Sequence, residues 1–180
     1  AELYGLKPDI VTYGKALGGG VPMAAIGGSN EIMSGLEWGK VLHFGTHNAG
    51  RLALHICKTM LTTMLSDNQA GFVKIKDLGI KLTEEIQSIS KKNNKNKMIC
   101  QGVNSMFQIF FTDQEKICNY RDFCRSVDRI KFRNFALKLF DKGIYMNPSA
   151  TLHSLSSIIH TEKDIEVTAR AIAETLDEMP

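Results

Sequence analysis

The glycines of the first third set the strictest limit on this chain. Gly18, Gly19 and Gly20 stand in a row, Pro22 follows, and Gly27-Gly28 closes the apolar run Met23 to Ile26. Glycine weakens a helix through its backbone freedom and proline breaks one by lacking an N–H, so no long helix crosses this stretch. Short strands joined by tight turns are what remains. Lys7-Pro8-Asp9 reads as a turn into a strand over Ile10 to Tyr13, and Met23 to Ile26 reads as a second, buried strand. Ser29 ahead of Glu31 marks a capped helix start, and the short run Val41 to Phe44 leads into GTHNAG, Gly45 to Gly50.

From Arg51 the period changes. Leu52, His55, Ile56 and Met60 recur at helical spacing until Ser66-Asp67-Asn68 interrupts, and a second helix is expected from about Ala70 to Lys92. Phe72, Ile75, Leu78, Leu82 and Ile86 form its apolar face. The polar run Lys91 to Lys97 reads as a solvent loop, since no aromatic residues interleave to stack on bases. Ser105 to Thr112 reads as a strand buried on both faces. Asn119 to Lys142 reads as one helix with Phe132, Phe135, Leu139 and Phe140 inward, ended by Gly143. Two short strands are expected, Ile144 to Met146 and Ser154 to Ile159, before a last helix capped by Thr161. The shift in composition near residue 67 divides the chain into two parts, 1–66 and 67–180, the second an α+β domain.

The formal net charge of +3 is too small to argue for nucleic acid or an anionic membrane as partner. Cys57, Cys100, Cys118 and Cys124 form no CxxC pair, which speaks against a zinc site and for free thiols in a reducing, cytoplasmic setting. No metal site is expected.

Lys15, in TYGKALGGG, is the candidate for chemistry. A phosphate loop would place glycines ahead of its lysine, whereas here they follow it. Two readings stay open on the residues alone: a solvated lysine beside a turn, and a covalent catalyst. The second has a physical basis. A strand would deliver Lys15 to its end, small neighbours would leave room for a flat ring, and an amine can condense with pyridoxal phosphate.

PDIVTYGKALGGGVPMAAIGG, with Pro8-Asp9, Gly14-Lys15, Gly18-Gly19-Gly20, Pro22 and Gly27-Gly28 in order, resembles the cofactor-lysine segment of class III (fold-type I) pyridoxal-phosphate aminotransferases. GTHNAG resembles that family's Gly-Thr loop. SMFQIFFTD, GIYMNPS and HTEKDIEVTARAI are most similar to the glutamate-1-semialdehyde 2,1-aminomutase branch. The resemblance implies an α/β fold: a slice of a large, mainly parallel-sheet domain, then a smaller α+β domain. It implies that Lys15 forms the Schiff base with pyridoxal 5'-phosphate and then acts as general acid and base in a proton shift. It implies that Gly45 and Thr46 reach the cofactor phosphate of a neighbouring subunit, in a homodimer with shared active sites acting on a small amino substrate. Glutamate-1-semialdehyde, giving 5-aminolevulinate, would be the substrate in the aminomutase branch.

The sequence departs from the family at one loop, where His47-Asn48-Ala49-Gly50-Arg51 replaces the usual small residue and Gly-Asn-Pro. His160 matches the family's His-Thr before the last helix, and its expected role is a structural hydrogen bond that fixes the strand-to-helix turn. The resemblance also implies upstream elements that these residues do not hold: an aspartate for the pyridine nitrogen, a phosphate loop and a stacking aromatic. The expectation is therefore the C-terminal portion of a longer enzyme, as a fragment, a split subunit or a degenerate descendant. The alternative is a non-catalytic oligomerisation or scaffold remnant of the same fold.

Overall fold

The computed structural model describes residues 1–180, apart from the side-chain surroundings of Glu2, Trp38 and Gly39. The chain divides into two compact units, Ala1–Ala70 and Gly71–Pro180. The short left-handed turn at residues 67–69 thus falls to the first unit, a few residues beyond the boundary expected from composition.

In the first unit, β1 (Ile10–Tyr13) pairs antiparallel with β2 (Ala25–Gly28), Ile10 opposite Gly28 and Tyr13 opposite Ala25. The second strand lies two residues later than its apolar run suggests, because register against β1 draws the Gly27-Gly28 pair into the ladder. A 3-10 turn, Lys15–Gly18, joins the two strands. Ser29 caps the short helix α1 (Asn30–Met33), its hydroxyl accepting from the Ile32 N–H at 3.3 Å. The run Val41 to Phe44 is not a strand: it has no partner strand among the described residues, and Leu42 and Phe44 are 75% and 80% exposed.

Helix α2 (Arg51–Lys92) is interrupted where the sequence suggests. Ser66 leaves helical geometry at ψ 161, and Asp67, Asn68 and Gln69 follow at φ 48, 56 and 65. Left-handed geometry costs an ordinary L-residue about 1–2 kcal/mol.

The second unit is built on a three-stranded antiparallel sheet in the order β3 (Met98–Val103), β4 (Met106–Phe111), β5 (Ser154–Leu155). Every strand pair among the described residues is antiparallel. β3 was not foreseen, because Gln101 and Gly102 dilute an apolar signal that starts directly after the lysine-rich loop. β4 is covered on both faces, as expected: Phe107, Ile109 and Phe111 are buried on one and Gln108 on the other.

The segment expected as one helix is two, α3 (Tyr120–Ser126) and α4 (Arg129–Asp141). Val127 is extended, and the Asp128 N–H donates to the Phe111 carbonyl at 2.9 Å, anchoring the break to β4. The Asp128 carboxylate then caps α4 by accepting from the Lys131 N–H at 2.8 Å. Phe132, Phe135 and Leu139 face inward, but Phe140 is 63% exposed, since one helical step of about 100° turns it away from that stripe. Phe72 is likewise exposed, and beyond the break in α2 the buried face begins at Leu78. Gly143, at φ 80, ends α4 as expected. Ile144 to Met146 forms no ladder, and only Ser154–Leu155 of the last expected strand does. Helix α5 (Glu162–Glu178) starts in a capping box in which Thr161 and Asp164 each satisfy the other's backbone N–H.

One residue of the lysine-rich loop behaves unlike a solvent loop. Asn96 is fully buried, and its Nδ2 donates to the Leu176 carbonyl at 2.7 Å. It thereby satisfies one of the orphan acceptors at the end of α5. Asn93 Oδ1 accepts from the Asn96 N–H at 2.8 Å and holds the loop in place. Replacing Asn96→Ala leaves the Leu176 carbonyl unpaired in an apolar setting, and the expected loss is about 1–3 kcal/mol of unfolding free energy, read from urea denaturation of the chain.

Candidate functional site

Lys15 sits where β1 ends. Gly14 before it is fully extended, and Lys15 itself has φ 54, in the left-handed region. The following turn is closed by Leu17 N–H donating to the Gly14 carbonyl at 3.2 Å and Gly19 N–H to Ala16 at 3.0 Å. Two features favour glycine at Gly19. Its φ is 57, and a Cβ there would lie 3.2 Å from the Cβ of Met60 on the first half of α2. The turn is therefore seated on that helix, and the strained backbone of Lys15 is fixed from its C-terminal side.

The side chain of Lys15 is exposed and engages in no hydrogen bond or ion pair among the described residues. A Cβ built on Gly14 or Gly20 would meet nothing within 4 Å, so the backbone on either side of the turn is open at both glycines.

Gly45 and Thr46 lie in the exposed turn that precedes α2. Asn48 shapes it. Its N–H donates to the Gly45 carbonyl at 3.0 Å, and its Oδ1 would lie 3.0 Å from a Cβ on Gly45, a contact most side chains at 45 would disrupt. Ala49 then takes φ 53, and Gly50 accepts from the Leu54 N–H to open α2. Sequence reasoning missed Asn48; its one signal is a turn-forming residue three positions after a glycine. Among the described residues no hydrogen bond engages the N–H or the hydroxyl of Thr46, and none joins this turn to Lys15.

His160 has a structural hydrogen bond of the kind expected. Its Nδ1 accepts from the Ser157 N–H at 3.0 Å, while its own N–H donates to the Ser157 carbonyl at 3.1 Å. It lines a cavity of ≈ 430 Å³ in the second unit with Asp164, above Leu82, Phe107 and Ile165; Lys15, Gly45 and Thr46 take no part in it. Burial pushes the Cys100 thiol up to about 12, which leaves that buried cysteine protonated and unreactive.

The α/β arrangement of these elements is that of fold-type I transaminases. The chain matches the family model for class-III aminotransferases over residues 1–179, and it belongs to that family. It is 36% identical over 172 residues to a glutamate-1-semialdehyde 2,1-aminomutase of Clostridium kluyveri, covering 95% of this chain and 40% of that protein. It is 37% identical over 179 residues to one from Alkaliphilus oremlandii, covering 99% and 40%. A β-phenylalanine aminotransferase from Variovorax paradoxus superposes with a TM-score of 0.87 at 22% identity, over 98% of this chain and 40% of that one. A glutamate-1-semialdehyde aminomutase from Pseudomonas aeruginosa in complex with PMP does so with 0.77 at 18%, over 99% and 41%. The chain thus spans about 40% of the length of the curated relatives it matches.

The capping box at α5 supplies a pH test. The Thr161 hydroxyl, then the Thr161 N–H, hold the Asp164 carboxyl below its usual value, helped by the charge of Lys163. A carboxylate lowered on folding contributes its stability above the ordinary aspartate value of about 3.9 and loses it as pH falls further. Thermal melts between pH 7 and pH 3 should show part of the acid loss disappearing in Asp164→Asn, which accepts the same bonds without titrating.

Proposed function

We propose that this chain is the C-terminal portion of a pyridoxal-phosphate-dependent aminotransferase or aminomutase, with Lys15 as the residue that holds the cofactor. The observation that carries the reading is the placement of Lys15: a free, exposed amine at a strand end, on a turn fixed by packing, with open space at Gly14 and Gly20. These residues fit a flat aldehyde cofactor, which needs an unpaired amine and a face clear of side chains. When bound, pyridoxal phosphate serves as an electron sink for the carbon that bears the amino group.

The chain's own residues have the remaining tasks. The Lys15 amine tethers the cofactor and, once displaced by a substrate amine, takes and returns a proton as general base and acid. The free N–H and hydroxyl of Thr46 are phosphate donors, on a turn that Gly45 lets approach closely. We assign them to the cofactor of a neighbouring subunit in a homodimer. Glutamate-1-semialdehyde conversion to 5-aminolevulinate is the substrate reading favoured by the curated relatives' names.

A second observation says what this chain needs. Among the described residues of the first unit the buried hydrophobic residues are Cys57 and Met64, whereas Leu3, Tyr4, Leu6, Leu42, Phe44 and Leu52 are each more than half exposed. An apolar surface of this kind marks an interface. We assign it to the rest of the enzyme and to the second subunit.

The test is borohydride reduction after incubation with pyridoxal phosphate, followed by peptide mass mapping. It is run on this chain alone and on the chain supplied with the upstream portion of the enzyme. A reduced pyridoxyl adduct on Lys15 is expected in the completed enzyme and lost in Lys15→Ala. It is lost in Lys15→Arg too, since guanidinium stays protonated and cannot condense with the aldehyde. Amino-group transfer should fall below detection in both variants. An adduct that persists at another site in either variant removes Lys15 from the mechanism.

A further inference from the structure

The turn that carries Lys15 spends its backbone freedom in an unexpected place. Gly14 is extended at φ -162, a geometry any residue adopts, while the left-handed residue is Lys15 itself, at φ 54. A turn under no other demand places glycine or asparagine at such a position. Strain of this kind persists where neighbouring contacts over-determine the backbone. Those contacts are present on both sides of Lys15, and all of them lie within the first unit.

Upstream, Tyr13 is held in the β1–β2 ladder opposite Ala25. Downstream, two glycines are pressed against side chains. A Cβ on buried Gly18 would lie 3.2 Å from the Cβ of Met23, and the Val21 N–H donates to the Gly18 carbonyl at 3.2 Å. A Cβ on Gly19 would lie 3.2 Å from the Cβ of Met60, 3.4 Å from its Cγ and 3.4 Å from Cγ2 of Ile56. Ile56 and Met60 are helical neighbours on one face of α2 and together form the seat for Gly19. The chain must pass from the ladder to this seat within the short turn Lys15–Gly18, and Lys15 absorbs the mismatch.

The direction of the amine follows from that backbone. An ordinary helical φ of about -63° at Lys15 would turn its side chain relative to β1 by roughly 120° about the N–Cα bond. Condensation with an aldehyde needs the amine nitrogen in attack geometry, and a misplacement of about 1 Å costs about a hundredfold in rate.

We infer that Met60, supported by Ile56, is a positioning residue: the seat it makes for Gly19 holds Lys15 in left-handed geometry and so aims the amine at the cofactor aldehyde. This role rests on the reading of Lys15 as the residue that holds the cofactor. Met60 acts through Lys15 and needs no contact with the cofactor. In the step it serves, the amine nitrogen bonds to the aldehyde carbon and water leaves.

The experiment uses the enzyme completed with its upstream portion and stripped of cofactor. Two quantities are read. One is the rate at which pyridoxal phosphate forms a borohydride-reducible adduct that maps to Lys15. The other is the affinity for pyridoxamine phosphate, which has no aldehyde and makes no bond to the Lys15 amine. Ile56→Ala with Met60→Ala removes the outer atoms of the seat. Adduct formation is expected to slow roughly tenfold, with the affinity for pyridoxamine phosphate unchanged. Met60→Leu keeps carbons at the β and γ positions and should form the adduct at the native rate. Gly19→Ala overfills the seat from the other side and should slow the adduct in the same selective way; it decides the matter if the double alanine variant does not fold. Equal losses in both quantities would show a role in folding alone, and a native adduct rate in the seat variants would show no role at all; either result overturns the assignment of Met60. A native enzyme that binds pyridoxamine phosphate but forms no adduct on Lys15 would instead overturn the reading of Lys15, and this role with it.

Discussion

The β4 face that carries Phe107, Ile109 and Phe111 is the surface on which the second unit is assembled. Phe111 meets Phe135 of α4 edge to face, with ring centroids 5.3 Å apart, and both rings are almost wholly buried. Leu78, Leu82 and Ile86 of α2 and Ile165, Ile172 and Leu176 of α5 join the same cluster. Full burial of each such side chain contributes about 1.5–3 kcal/mol. Polar contacts then fix how the elements enter this core. Asp128 anchors the start of α4 to β4, Gln108 Nε2 ties the other face of β4 to the Ala150 carbonyl at 3.1 Å, and Asn96 closes the end of α5. Lys81 with Glu162, and half-buried Lys142 with exposed Glu174 and Glu178, add ion pairs at the surface that contribute little by comparison.

The first unit follows the opposite logic. Its candidate chemistry stands on turns, and many of its described apolar side chains are exposed. The Lys15 turn is fixed by one contact with α2, at Gly19, and the Gly45–Thr46 turn is shaped by Asn48. A two-stranded ribbon is marginal in water without further strands or a helix to cover it. The same exposure that weakens this unit leaves the Lys15 amine and the Gly45–Thr46 turn uncovered.

Much of this was legible in the residues. The strand ending before Lys15, the break at Ser66-Asp67-Asn68, the Gly143 stop, the Thr161 cap and the hydrogen-bonding role of His160 all follow from local chemistry. Cap and turn signals act over three or four residues, so a sequence shows them directly. The misses have a common cause. β3 is a strand because β4 pairs with it. The single expected helix split because the Phe111 carbonyl draws the Asp128 N–H out of the helical ladder. Asn96 was read as solvent-facing because the end of α5, its partner, lies 80 residues further on.

The sequence by itself determined the candidate site: the order Gly14-Lys15, glycine run and Gly45-Thr46 carries the family signal, since a reactive amine and close backbone approaches demand those residue types. It also determined the alternation of short strands and amphipathic helices. Tertiary structure alone decided the left-handed backbone of Lys15, the seating of its turn on Met60, and the burial of Asn96. Each depends on a contact between segments distant in the chain, and neither composition nor period encodes which distant segment arrives.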